Sequence, residues 1–374
     1  MDEVRAELEN VDAAIKTLEH MCRMGKPNEN ELTEAYITRG MFYWELSKFG
    51  EAISDFNQAL GIMKHVRDNG KQPDKYYAAM AYMGRGISYY MTEKYNLALP
   101  DLTEGIELFE SLQRENISIR GGLFLTAYLT GARLNEFAGN IDVAIAYHQK
   151  AIRMAERFQI MGEPFDINLL IAAHMCIGGN YDQQEKLEEA NRHYGKCIAI
   201  LEGLSNAGED IEYGDLADVY MNRGGNYYMV QEIDKALLDF DKCVNIRERL
   251  QKEGKEQNEF NLFMAYKNRS QAYEVANNAK AAIQDLITAM QILKGVFSSR
   301  PELQEEYYNV LDELITLIKE EDNKTLLQKI KLIKEESNKE LLQKILQEFL
   351  YPLRSVPKTK EAEAIQNRII KKVS

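Results

Sequence analysis

Small and large apolar residues recur along the chain at a constant interval of 46 residues. An alanine marks each of six copies: Ala52, Ala98, Ala144, Ala190, Ala236 and Ala282. Four positions after each alanine stands a large residue, and seven positions after it stands a small one. Because positions i, i+4 and i+7 share one stripe of a helix, the pattern predicts an amphipathic helix, here called helix B, in every copy.

A second stripe with the same spacing precedes each alanine. In the first copy it consists of Tyr36, Gly40 and Tyr43, and the other copies hold an aromatic or His, a small residue and usually Tyr at these places. This stripe predicts a helix A before each helix B. The repeating unit is then a helical hairpin, which cannot bury both of its faces alone, so neighbouring hairpins must stack.

The pattern resembles the tetratricopeptide repeat over residues 30–296. The usual repeat has about 34 residues, so this one is longer. Since the interval from Gly40 to Ala52 is the same in all copies, the extra residues must lie at the helix ends and in the B-to-A loops. The resemblance implies an all-α fold, an α-solenoid in which antiparallel helical hairpins form a right-handed superhelix.

The period also predicts the domain organisation. Residues 1–30 are expected to form an N-terminal capping helix, and residues 301–374 C-terminal capping helices with a basic tail. The repeats between them, residues 31–296, are predicted at 31–68, 75–114, 122–160, 167–205, 213–252 and 259–296. Residues 321–374 hold 12 Lys or Arg and 8 Asp or Glu. Two roles for this tail stay open: docking on the acidic array, and binding a separate partner.

Composition narrows the functional class. The net charge is −13, whereas a protein that neutralises phosphates needs a basic face, so no nucleic acid partner is expected. No apolar run approaches the roughly 20 residues that span a bilayer, so no membrane is expected either. The N-terminus has no apolar signal region, and four dispersed cysteines suit a reducing compartment, which together predict a cytoplasmic location.

Signatures of catalysis are absent from the sequence. It contains no His-Glu-x-x-His, Gly-x-Gly-x-x-Gly, P-loop or Gly-x-Ser-x-Gly motif, so we expect no enzyme, no catalytic residue and no cofactor. His148, His174 and His193 fall in adjacent repeats. A metal or pH-sensing site is conceivable there, but His148 and His174 occupy positions that hold packing aromatics elsewhere. We therefore expect core residues and no metal site.

Charged residues recur in step with the repeat. Helix A carries an Arg and helix B an Asp sixteen residues later, in four copies: Arg39 with Asp55, Arg85 with Asp101, Arg223 with Asp239, and Arg269 with Asp285. Repeats 3 and 4 lack both members, having Gly131 with Tyr147 and Ile177 with His193. The Arg and the Asp are either both present or both absent in a copy. This predicts a structural ion pair within each of the four hairpins that have them, because a lone half-buried Arg would be costly. Capture of phosphate or carboxylate by these arginines is the alternative.

The resemblance also implies a concave groove lined by helix A residues that face away from the packing stripe. The predicted groove residues are Ile37, Met41, Trp44, Met80, Met83, Ile87, Tyr90, Arg133, Met175, Met221, Tyr228, Met264 and Lys267. Methionine suits surfaces that accept varied apolar ligands. The alternative, that many of these side chains contact the next helix A and belong to the core, stays open.

These features predict a non-catalytic scaffold or adaptor that binds a protein or peptide. Repeats 1 and 2 offer apolar groove residues, whereas repeats 3 to 6 include Glu136, Asp182, Asp218 and Glu274, so the partner should have an apolar anchor and basic flanks. Some co-chaperones of this family grip a terminal carboxylate with Lys and Asn, but the corresponding positions here include Ile37 and Met41. The alternative function is a regulatory receptor that binds a signalling peptide or small molecule and changes conformation to control an effector.

Overall fold

A computed structural model describes residues 2–25, 28–115, 122–256, 258–297, 300, 303, 305, 306, 309, 310, 313 and 317. Within these residues, one helix, α1 (Asp2–Arg23), precedes six pairs of helices. The described residues contain no strand, so the fold is an all-α helical repeat. The pairs are α2 (Glu29–Glu45) with α3 (Phe49–Asp68), α4 (Lys75–Met91) with α5 (Tyr95–Arg114), α6 (Leu123–Phe137) with α7 (Ile141–Met161), α8 (Ile167–Gln183) with α9 (Leu187–Asn206), α10 (Tyr213–Met229) with α11 (Ile233–Lys252), and α12 (Glu259–Val275) with α13 (Ala279–Phe297).

The turn between the two helices of a pair has the same construction throughout. Its second residue lies in the left-handed backbone region, at Ser47, Glu93, Gly139, Glu185, Gln231 and Asn277. The next amide donates back to a carbonyl five residues earlier, as in Lys48 N to Tyr43 O at 2.7 Å. This bond satisfies a carbonyl at the C-terminus of helix A in the manner of a Schellman motif. It explains why the interval between helices A and B never varies.

Close packing of the two helices explains the alternation of small and large residues. All six marker alanines are fully buried. A Cβ on Gly86 would lie 2.8 Å from Leu102 Cγ, and one on Gly178 would lie 2.4 Å from Tyr194 Cε1. The large side chain of helix B thus occupies the space that a side chain on the glycine of helix A would need.

The chain divides into two compact units, Met1–Ile200 and Leu201–Ser374, with the boundary inside α9. In the first unit, one core cluster extends from Ile15 of α1 to Ile177 of α8. In the second unit, Ala236, Phe240 and Ala272 form a core between α11 and α12.

The two predicted caps are described to different extents. At the N-terminus, Ile15 of α1 is only 3% exposed and belongs to the first core. Of the predicted C-terminal capping helices, Val310 and Leu317 are buried. Residues 318–374, including the basic tail, lie outside the described residues. Within the part that is described, none of the helices combines the length and the apolar character needed to cross a membrane.

Candidate functional site

Bidentate ion pairs join helices A and B in four hairpins. Arg39 Nε and Nη2 donate to the two carboxylate oxygens of Asp55, both at 2.7 Å. The same geometry recurs in Arg85 with Asp101, Arg223 with Asp239, and Arg269 with Asp285. The aspartates are nearly buried while each Arg side chain keeps about a fifth of its surface exposed. Each of these arginines is therefore paired with a carboxylate of its own hairpin.

Three of these arginines also reach the preceding helix B. Arg39 Nη1 donates to Asp12 Oδ1 at 2.7 Å, Arg85 Nη1 to Asn57 Oδ1 at 2.7 Å, and Arg269 Nη1 to Asp241 Oδ1 at 2.8 Å. One guanidinium thus links three helices. This third contact was not predicted, although an Asp or Asn 27 or 28 residues before the Arg indicates it.

A second recurring link joins a tyrosine of helix A to a glutamate of the preceding helix B. Tyr128 donates to Glu110 at 3.0 Å, and the equivalent bonds are Tyr36 to Glu19, Tyr220 to Glu202, and Tyr266 to Glu248. Burial and the glutamate both raise the pKa of Tyr128, so the phenol stays protonated and donates. The spacing predicted these tyrosines as packing aromatics and gave no sign of the hydrogen bond.

Ring pairs replace the ion pair in the two hairpins that lack it. In repeat 3, Tyr147 stands where the others have Asp, and its ring centre lies 6.0 Å from that of Tyr128. In repeat 4, His193 stands at that place, and its Nδ1 lies 2.9 Å from Nδ1 of His174. In each repeat the ring on helix B contacts the helix A residue that is equivalent to Tyr36, which is Tyr128 in repeat 3 and His174 in repeat 4.

A cavity of about 180 Å³ lies among the A helices of the first four repeats. Four predicted groove residues line it: Trp44, Ile87, Tyr90 and Arg133. The rest of the lining is Met91, Thr126, Leu129, Thr130, His148, Leu169, Ala172 and Cys176. Trp44 Nε1 is buried without a hydrogen-bond partner among the described residues. The cavity is mainly apolar and carries few polar groups.

Exposed apolar side chains adjoin the cavity. Met91 is 51% exposed, and Tyr95 and Phe137 are 44% and 74% exposed. The ring of Tyr95 lies 5.6 Å from that of Tyr90 and 6.0 Å from that of Phe137. The aromatic surface thus continues from the cavity wall to the A-to-B turns.

The other predicted groove residues do not line this cavity. Ile37, Met80 and Met83 are buried in the first core cluster, and Met83 is fully inaccessible, so a bound segment would not touch it. Half-buried positions are occupied by Met41, Met175, Met221, Tyr228, Met264 and Lys267. In the second unit, Lys267 Nζ pairs with Glu306, and Met221 Sδ accepts from Asn268 Nδ2 at 3.2 Å.

His148 is almost wholly buried and contacts a carboxylate. It is 1% exposed, and its Nε2 lies 3.0 Å from Oε1 of Glu136, which also accepts from Asn180 Nδ2 at 2.7 Å. The thiol of Cys176 lies beside them. Burial is the largest effect on Cys176 and raises the pKa of its thiol, against the opposing effect of a hydrogen bond with Arg133.

Comparison with known proteins gave one family match and several similar solved structures. The tetratricopeptide repeat profile matches residues 33–62, which cover most of α2 and α3. No curated protein matches the chain significantly. Solved structures that are similar include BtubC from P. vanneervenii, with 15% identity over 78% of this chain and 92% of that one and a TM-score of 0.40. Another is the C-terminal part of a repeat protein from Cytophaga hutchinsonii, with 15% identity over 77% and 90% and a TM-score of 0.49.

A third similar structure is a signal-transduction ATPase with a tetratricopeptide repeat sensor from Pyrococcus horikoshii. It has 18% identity and a TM-score of 0.49, and the match covers 84% of this chain but 43% of that one. At these identities and TM-scores, the roles of the three proteins do not carry over.

The fold and its paired side chains define an α-helical repeat protein. The tetratricopeptide repeat model matches the first hairpin, and hairpins with the same turn recur at a constant interval in the other five helix pairs, so the chain has an all-α helical repeat fold of the tetratricopeptide type.

Proposed function

We propose that this chain is a non-catalytic scaffold that binds a protein or peptide segment, with one apolar side chain of the partner in the cavity of repeats 1 to 4. The observation that carries the proposal is the cavity itself. Its volume of about 180 Å³ is comparable to that of an apolar protein cavity of about 150 Å³ that accepts benzene. One aromatic or branched aliphatic side chain fills such a space.

Polar side chains in the lining of the cavity favour a peptide over a purely apolar ligand. Thr126 and Thr130 line the cavity, and their hydroxyls donate to carbonyls of their own helix. The hydroxyl oxygens would accept hydrogen bonds from backbone amides of a bound segment. Arg133, whose side chain is hydrogen-bonded to that of Tyr90, would limit the cavity on one side.

The acidic net charge of residues 1–320 supports a partner whose anchor has basic flanks. Residues 321–374 carry +4, so the remaining 320 residues carry −13 minus 4, or −17. A net negative charge of this size attracts Lys and Arg over distances near the Debye length. It speeds association more than it strengthens the final complex. We therefore infer an apolar anchor flanked by basic residues.

A random peptide library panned on the purified protein tests this function. We expect enrichment of peptides with one large apolar residue between Lys or Arg. Ala172→Phe fills the cavity without removing a side chain from its wall, and it should abolish the selection. Ala207→Phe is the matched control, because Ala207 is exposed in the turn after α9. Equal enrichment on both variants would contradict the proposal.

The selected peptide also distinguishes the scaffold from the regulatory receptor. A scaffold should keep its radius of gyration in solution scattering when the peptide is added, whereas a receptor should change it. The cytoplasmic location stays a prediction.

A further inference from the structure

Three potential metal ligands from three helices converge at one edge of the cavity. Glu136 of α6, His148 of α7 and Cys176 of α8 each offer one ligand atom, and these atoms all lie within 4.8 Å of one another. In a tetrahedral zinc site with bonds of about 2.0–2.3 Å, ligand atoms are about 3.3–3.8 Å apart. His148 Nε2 and Glu136 Oε1 are 3.0 Å apart, so a small outward shift of either side chain would give that spacing.

We propose that Glu136, His148 and Cys176 bind a divalent transition-metal ion with the preferences of Zn²⁺. A carboxylate, an imidazole and a thiolate together match the ligand set that Zn²⁺ accepts, whereas Mg²⁺ and Ca²⁺ prefer oxygen alone. On binding, the Cys176 thiol releases its proton to solvent and the thiolate sulfur bonds to the metal. No change of oxidation state is involved.

The surroundings of the three residues resemble the outer ligand shell of a metal site. Asn180 Nδ2 donates to Glu136 at 2.7 Å, which orients the carboxylate. Arg133 lines the cavity together with Cys176, and its guanidinium would stabilise the thiolate by charge. Such outer partners fix ligand orientation in metalloproteins. In the metal-free protein Glu136 Oε1 accepts a hydrogen bond from His148 Nε2, so the ring proton is on Nε2. Metal binding through Nε2 requires this proton to move to Nδ1, which is buried, has no partner among the described residues and is therefore free to carry it.

The site is specific to one place in the array. The residues equivalent to His148 are Phe56, Leu102, Tyr194, Phe240 and Leu286, and those equivalent to Cys176 are Thr38, Gly84, Thr130, Asn222 and Asn268. Among the described residues this is the one group of three such ligands that meets at close range. Repeats 1, 2, 5 and 6 pack an apolar residue at the position of His148, and repeat 4 has Tyr194, which donates to Asp182.

The fourth coordination position would face the cavity, because His148 and Cys176 line it. Three protein ligands with one open position are the arrangement of zinc sites that hold water or an exogenous ligand. The inference does not depend on peptide binding, since the three ligands all belong to this chain.

Titration of the reduced, metal-free full-length protein with Co²⁺ tests the proposal. Co²⁺ reports zinc-type sites by visible ligand-field bands and, with a bound thiolate, by an ultraviolet charge-transfer band. We expect one equivalent to bind, both bands to appear, and Zn²⁺ to remove them. Cys176→Ser should eliminate the charge-transfer band, while Cys22→Ser, at a half-buried thiol of α1, should leave it unchanged.

Two further variants guard against loss of the fold. His148→Phe installs the residue found in repeats 1 and 5 and should lose Co²⁺ binding while keeping its helical circular dichroism. Asn180→Ala should weaken binding by about 10- to 100-fold, as loss of an outer partner does. Absence of both bands in the unmodified protein, or an undiminished charge-transfer band in Cys176→Ser, would overturn the inference.

Discussion

Nδ1 of His174 and Nδ1 of His193 lie 2.9 Å apart, so the two imidazoles share one hydrogen bond. They occupy the positions at which repeats 1, 2, 5 and 6 have a tyrosine and the aspartate of the ion pair. Protonation of both imidazoles would place two cations side by side in a largely buried site. Burial is the largest cause that lowers the pKa of His174 to about 3, and the charges of His193 and Lys196 add to it. Burial also lowers the pKa of His193 to about 4, with Lys196 and Arg192 contributing.

This pair predicts acid sensitivity below pH 6.5. Between the ordinary histidine pKa of 6.5 and the lowered values, the unfolded chain binds protons that the folded chain does not. The contribution of the two histidines to the free energy of unfolding is therefore complete above pH 6.5. It falls as the pH drops toward 4 and levels off below about 3. Urea unfolding at a series of pH values measures it.

A double variant, His174→Asn with His193→Asn, should flatten this dependence. The exposed His65→Asn is the control and should keep the slope of the parent protein. If the slope between pH 4 and 6.5 is unchanged in the double variant, the pair does not cause it.

The Arg85–Asp101 pair should contribute a measurable coupling energy. Its two hydrogen bonds measure 2.6 and 2.8 Å, and Asp101 is 8% exposed. Arg85→Ala leaves that carboxylate without its partner and should lower the free energy of unfolding by ~1–3 kcal/mol. Adding Asp101→Ala should restore part of the loss. Chemical denaturation of the four proteins of the cycle gives the coupling, and strict additivity would mean that the pair does not interact.

Two adjacent glycines of α8 should respond in opposite directions to the same substitution. A Cβ on Gly178 would lie 2.4 Å from the Tyr194 ring, whereas one on Gly179 would lie 4.0 Å from the Tyr194 hydroxyl. Gly178→Ala should therefore destabilise the first unit by ~1–3 kcal/mol through overpacking. Gly179→Ala should stabilise it by ~0.5–1 kcal/mol, because alanine is the better helix former. Thermal unfolding of both variants compares them directly, and a loss of stability in both would show that Gly179 is also in close contact.

The cavity wall should dominate affinity for a selected peptide. Trp44→Ala with Tyr90→Ala removes two aromatic side chains from the wall and should weaken binding by at least ~2 kcal/mol, since aromatic residues concentrate binding energy. Calorimetry measures the affinity, and circular dichroism checks the fold. Deletion of residues 321–374 should leave the affinity intact. If the deletion abolishes binding while the double variant binds as the parent protein does, the basic tail is the binding element.

The regular part of the structure could be predicted from the sequence because it depends on local spacing. The buried alanines and the glycines facing Phe56, Leu102 or Tyr194 produce the period directly. The contacts of Arg39 with Asp12 and of Tyr36 with Glu19 do not follow from the spacing within one hairpin, because their partners lie in α1, beyond a loop. Only the spacing of 27 or 28 residues between the Arg and a preceding Asp or Asn indicates the first kind of contact.

The convergence of side chains was also beyond the sequence pattern. Helix A positions with equal spacing have different environments: Met83 is inaccessible, while Trp44 and Tyr90 line a cavity. Glu136 and Cys176 are 40 residues apart in the chain, and packing of α6, α7 and α8 brings them to His148. Periodicity locates a residue on a helix face, but the space in front of that face depends on the sizes of all neighbouring side chains.

The left-handed turn residue of each hairpin makes the helix pairs interchangeable modules. Because Ser47, Glu93, Gly139, Glu185, Gln231 and Asn277 are equally spaced, any two of these turns present the same backbone geometry. Cutting the chain at two of them and rejoining the ends would excise whole 46-residue cassettes and preserve the alternation of helices A and B. A gene encoding this chain can therefore gain or lose whole 46-residue repeats. Each such change creates one new contact between hairpins that were not neighbours before, and only that contact has to repack.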